Sequence, residues 1–129
     1  MRGMNDKTEI RMVELVQNIG SDIVWDSKAN KQLVAGILAL KDEDETKRFL
    51  RDLLTPAEIA ELANRLEAAS LLSRDAQYNY ITERTGLSSK TIARIAKWLG
   101  GSLGGYRLIL SRINHHAPSS FGKGLSSRT

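Results

Sequence analysis

The apolar positions of this 129-residue chain recur at steps of three and four, the period of an α-helix. Ile10, Val13, Leu15, Val16 and Ile19 mark a first helix, and Gly20 is a natural stop for it. Residues 21–30 have no clear period; Ile23, Val24 and Trp25 form an apolar anchor in an otherwise polar linker. Leu33, Val34, Ile37, Leu38 and Leu40 predict a second helix. Asp42, with Glu45 three residues on, is a capping-box start for a third, whose stripe is Phe49, Leu50, Leu53 and Leu54. The clearest start lies at Thr55-Pro56-Ala57-Glu58: a capping threonine, proline at the first helical position, and a glutamate completing the box. Ile59, Leu62, Leu66 and Ala69 then face one way. Leu71 and Leu72 widen the buried face, so this helix is expected to be central. No segment alternates with period two for long enough to make a strand. The expected fold class is all-α.

Residues Tyr78–Lys97 have the pattern of a helix-turn-helix. Two short helices must cross at a steep angle through a tight turn. Gly86 supplies the residue tolerant of positive φ. Tyr78, Ile81 and Thr85 are placed to pack from the first helix, Leu87, Ile92 and Ile95 from the second, and Ser88 is a good cap for the second. Ser88, Ser89, Lys90, Thr91, Ala93, Arg94 and Lys97 then face outward. Small hydroxyls near the helix start with basic groups further along suit a major groove, where arginine and lysine read guanine or hold phosphate.

Charge sharpens this picture. Residues 1–30 carry a net −1, residues 31–73 a net −2 and residues 74–129 a net +7, which together give the chain's +4. One basic end on an otherwise acidic chain points to a polyanionic partner. The absence of cysteine excludes disulfides, thiolate zinc sites and cysteine nucleophiles. No apolar run approaches the ~20 residues of a membrane-spanning helix. The charged start is unlike a secretory signal, and a cytoplasmic location is expected.

Two stretches resemble the tryptophan repressor family, in particular its YerC/YecD-type branch. One runs Leu54-Thr-Pro-Ala-Glu-Ile-Ala-Glu-Leu-Ala-Asn-Arg-Leu-Glu-Ala-Ala; the other runs Ile81-Thr-Glu-Arg-Thr-Gly-Leu-Ser-Ser-Lys-Thr-Ile-Ala-Arg. Leu33–Leu54 and the later Gly104-Gly-Tyr-Arg-Leu-Ile-Leu are similar to that branch as well, so the resemblance covers about residues 31–113. It implies an intertwined all-helical homodimer carrying two recognition helices to a two-fold-symmetric operator. Arg65 and Arg94 match the two arginines that sandwich the indole of tryptophan in the family, and Thr55 matches a pocket threonine. Two matched positions depart: Ile95 replaces a small glycine and Trp98 replaces a short serine. The expectation is therefore no tryptophan-binding pocket, or one plugged by the protein's own side chains. Asp75-Ala76 also departs, standing where the branch usually has Gly-Lys. An acid there lies close to the expected DNA side.

The expected organisation is an N-terminal extension over 1–30 with one helix and a linker, a DNA-binding domain over 31–113 with its helix-turn-helix at about 78–98, and a disordered tail over 114–129. The expected DNA contacts are Arg84, Ser88, Ser89, Lys90, Thr91, Arg94 and Lys97. No catalytic group, metal site or cofactor is expected. His115-His116 has no partner ligands, Gly100–Gly105 lacks the strand and lysine of a phosphate loop, and no serine, histidine and acid are spaced as nucleophile and base. The leading expectation is a dimeric, sequence-specific transcriptional repressor binding double-stranded DNA. The alternative is a helical protein-interaction module whose helix-turn-helix no longer reads DNA, with Asp75, Tyr80 and Trp98 at the interface.

Overall fold

The computed structural model describes residues 23–117. The expected helix at Ile10–Ile19 lies outside them; of the tail expected to be disordered over 114–129, residues 114–117 are instead helical and the rest lie outside the described residues. The described residues form six helices and no strand: α1 (Lys28–Leu38), α2 (Glu43–Leu53), α3 (Pro56–Ser73), α4 (Tyr78–Thr85), α5 (Ser89–Leu99) and α6 (Gly105–Ala117). The all-α expectation holds. The chain divides after Thr55 into two units.

In the first unit, α1 starts earlier than its apolar stripe suggests. Ser27 is its N-cap, accepting the Asn30 N–H at 3.1 Å, and the Asn30 side chain donates to the Val24 carbonyl at 2.9 Å. These polar bonds begin the helix inside the segment read as linker, where periodicity is blind. The start of α2 follows expectation. Asp42 Oδ1 accepts the Glu45 N–H at 2.9 Å, and Glu45 reaches back to accept the Lys41 N–H at 3.0 Å. Glu43, Asp44 and Glu45 crowd the first turn, where the positive end of the helix favours them. Lys47 bonds to Glu43 at 2.8 Å and holds its carboxyl below the usual range. Both groups are fully exposed, so the pair adds little to stability. Phe49 packs where Gly36 leaves room: a Cβ there would stand 3.4 Å from the ring. No residue of α1 or α2 is buried, and Ile37 and Leu38 are 55% and 79% exposed.

The second unit holds the core. Ala68, Ala69 and Leu71 of α3 meet Ile81 of α4, Leu87 of the following turn, Ile92 and Ile95 of α5, and Leu110 of α6. Ile81, Ile92 and Ile95 are the largest side chains fully removed from solvent. The two alanines let α4 and α5 approach α3 closely. All buried residues of α3 fall in its second half. Leu62 in its first half is 48% exposed, a difference from the expected continuous buried stripe. The neighbours of α3 within this unit reach only the later turns, so the apolar pattern of the earlier turns has nothing here to cover it.

Removing most of one core side chain tests this account. Ile95→Ala is expected to cost about 2–5 kcal/mol of unfolding free energy, the range for large-to-small changes in a packed core. Urea denaturation reads it, and a cost below about 1 kcal/mol would place Ile95 outside the core.

Candidate nucleic-acid interface

The helix-turn-helix is set up by the way α3 ends. The Ala76 N–H bonds to the Leu71 carbonyl and the Asp75 N–H to the Leu72 carbonyl, each at 3.0 Å. This pair of bonds is a Schellman close, and it needs a left-handed residue at position 75. Asp75 adopts it with φ 64°, as the only non-glycine described residue with positive φ. Ala76 then packs against the core, and Gln77 starts α4 with no side-chain cap bond.

The turn between α4 and α5 combines three devices. Gly86 is left-handed at φ 74°. Thr85, 6% exposed, donates its hydroxyl to the Ile81 carbonyl at 2.7 Å and accepts the Leu87 N–H at 3.2 Å, so the buried hydroxyl and a buried backbone amide satisfy one another. Ser88 caps α5 by accepting the Thr91 N–H at 3.1 Å, and its own hydroxyl donates to Thr91 Oγ1 at 3.1 Å. Ile81, Thr85, Leu87, Ile92 and Ile95 pack inward as the sequence predicts. Tyr78 does not: it is 42% exposed at the start of α4, where one side of the short helix faces solvent.

With Ile92 and Ile95 committed to the core, the opposite face of α5 is free. Ser88, Ser89, Lys90, Ala93, Arg94 and Lys97 are exposed, and Thr91 is half-buried. Lys90, Arg94 and Lys97 recur at four- and three-residue steps and so share one face. None of the three pairs with an acid among the described residues. Two other candidates are partly engaged. The Ser88 and Thr91 hydroxyls bond to each other. Arg84 reaches Glu67 of α3 at 3.6 Å, bonds to the Tyr80 hydroxyl at 3.5 Å and lies 5.9 Å from the centre of that ring. Tyr80 is outward-facing, as the sequence suggests, at 45% exposed. At the far end of α5, Arg107 donates to the Leu99 carbonyl and folds over Gly104, which is left-handed at φ 69°.

The residues matched to the family's tryptophan pocket have the following surroundings. Arg65 is clamped by Glu61, with its Nε and one terminal nitrogen each 3.1 Å from the same carboxylate oxygen. Tyr106 lies near enough for the Arg65 charge to be felt; burial pushes the phenol pKa up and that charge opposes it. Ile95 is fully buried and Trp98 is 45% exposed. Thr55 closes the first unit.

An exposed basic helix held across a second helix by a glycine turn defines the class of helix-turn-helix proteins. Residues 28–114 match the family model described as Trp repressor protein. The chain is 39% identical over 92 residues to the uncharacterized protein YerC of Bacillus subtilis strain 168, covering 71% of this chain and 88% of that protein. A crystal structure of a TrpR-like protein from Eubacterium eligens matches with a TM-score of 0.65 at 37% identity, over 70% of this chain and 93% of that one. The chain belongs to the Trp repressor family, whose members are helix-turn-helix DNA-binding regulators and not enzymes.

The Thr85 hydroxyl was the least visible of these parts in the sequence. A threonine just before a helix-ending glycine is its only signal. Thr85→Val keeps the shape and strands the Leu87 amide, so a loss of about 1–3 kcal/mol is expected. Thr85→Ser should lose less, and equal stability of all three proteins by urea denaturation would refute the clamp.

Proposed function

We propose that the protein is a sequence-specific transcriptional repressor that binds a two-fold-symmetric operator as a homodimer in the cytoplasm. The observation that carries this reading is the exposed stripe Lys90–Arg94–Lys97, without an acid partner among the described residues, on a helix whose other face is buried. Such a helix can enter a major groove without uncovering its own core. Ser89 and Ala93 leave room for base edges beside the basic groups. Lys90, Arg94 and Lys97 supply phosphate or guanine contacts. Ser88 and Thr91 contribute by fixing the start of the helix, with hydroxyls that exchange partners at the groove.

Dimerisation is supported by bare apolar surface. Leu33, Val34, Ile37 and Leu38 in the first unit, and Leu103, Leu108 and Ile109 in the second, are all 40% exposed or more. Apolar surface of that extent asks for a partner surface. A second copy supplies it and also supplies the second recognition helix.

The reading includes independence from tryptophan. Ile95 fills the space of the family's glycine, Trp98 offers no short hydroxyl, and Arg65 is held by Glu61. A melting curve with saturating L-tryptophan should match the ligand-free curve; binding at a hundredfold excess over Kd would stabilise by about 2.7 kcal/mol.

Lys90→Ala and Arg94→Ala test the interface. Each is expected to lose about tenfold or more in affinity, with the melting temperature unchanged. Duplexes selected from genomic fragments at low and moderate salt supply the targets. An enriched inverted repeat that survives moderate salt supports the proposal. Unchanged affinity in both variants, or salt-insensitive association with proteins instead of DNA, moves the interaction-module reading forward.

A further inference from the structure

The end of α3 carries a residue that is costly in two independent ways. The Schellman close requires a left-handed residue at position 75, a conformation that strains an L side chain and does not strain glycine. The side chain present is also an acid. From residue 74 to residue 117 the only acids are Asp75 and Glu83, against seven Lys or Arg. Asp75 is exposed and makes no ion pair or side-chain hydrogen bond among the described residues. Its neighbour Arg74 does not offset it, because that guanidinium turns back onto Ser70, with bonds of 3.3 Å to the hydroxyl and 3.5 Å to the carbonyl. Nothing in the packing calls for a carboxylate here.

Its position gives the charge a consequence. Asp75 precedes Gln77, the N-cap of α4, by two residues. In a helix-turn-helix the first helix crosses the sugar-phosphate backbone, so when α5 enters a groove, α4 and the turn leading into it lie beside phosphate. Asn79 Oδ1 accepts the Tyr80 N–H at 2.9 Å, while Gln77 gives the helix start no side-chain cap, and amides left free there attract phosphate. A fixed carboxylate within a Debye length of that edge opposes the attraction, whatever the base sequence.

We infer that Asp75 is a specificity-determining residue: it weakens sequence-independent attraction to DNA, so that stable binding depends on the contacts of α5 with base edges. This rests on the DNA-binding reading above. The sequence-independent part of binding is electrostatic, whereas the contacts that discriminate bases lie on another helix. Lowering the first without touching the second raises the ratio of specific to non-specific affinity.

Two variants separate charge from backbone. Asp75→Asn removes the charge and keeps a residue that tolerates the left-handed conformation. Asp75→Gly removes both the charge and the strain. Affinity for a short random-sequence duplex is measured for wild type and both variants across a salt series, with melting curves alongside. Both variants are expected to bind the random duplex about two- to fivefold more tightly at low salt, with the gain shrinking as salt rises. Only Asp75→Gly should melt clearly higher than wild type. In selection from genomic fragments, Asp75→Asn should enrich targets less sharply. Wild type and both variants binding random DNA equally would overturn the inference and leave the DNA-binding reading intact. No DNA binding by any of the three would remove both.

Discussion

The packing of Ile81 on α4 with Ile92 and Ile95 on α5 is the constraint on which the exposed basic face of α5 depends. These three side chains are fully buried, and they fix the rotation of α5 about its own axis. A helix with one face locked has only one other face to offer. Lys90, Arg94 and Lys97 are presented because the isoleucines are not. Ala68 and Ala69 serve the same end from α3, since small residues let both helices settle close to it.

Polar bonds at the ends of elements keep that packing in register. The hydroxyl of Thr85 joins α4 to Leu87 in the turn, Ser88 and Thr91 hold the first turn of α5, and Arg107 ties the last turn of α5 to the start of α6. Arg84 bridges α4 to Glu67 on α3, with the Tyr80 ring beside it. Its charge is engaged within the fold, which sets it apart from the basic groups of α5, none of which has an acid partner among the described residues.

The two units differ in how far they are finished. The second has a buried core of its own. The first has capped, well-formed helices without one buried residue, and the Phe49 ring lies over Gly36. Helices of eleven residues owe most of their stability to tertiary packing. Their exposed leucines, isoleucines and valines are the surface that the proposed second copy would cover. Within the second unit, α3 shows a similar imbalance, since all of its buried residues lie in its second half.

The sequence alone determined the helical class, the starts of α2 and α3, the glycine turn and the inward and outward faces of α5. Each of these is written in local signals: spacing of apolar residues, a capping box, a proline at the first turn, a residue that tolerates positive φ. Tertiary structure decided what such signals cannot encode. Periodicity says which side of a helix is apolar, yet Tyr78 and Leu62 are exposed because burial needs a neighbour to cover the stripe. Composition shows that Asp75, Thr85 and Arg65 are polar, yet only the fold makes one a strained helix end, one a buried clamp and one a partner of Glu61. Hydrogen-bond geometry depends on chain positions brought together in space, and that is where the sequence stops and the packing begins.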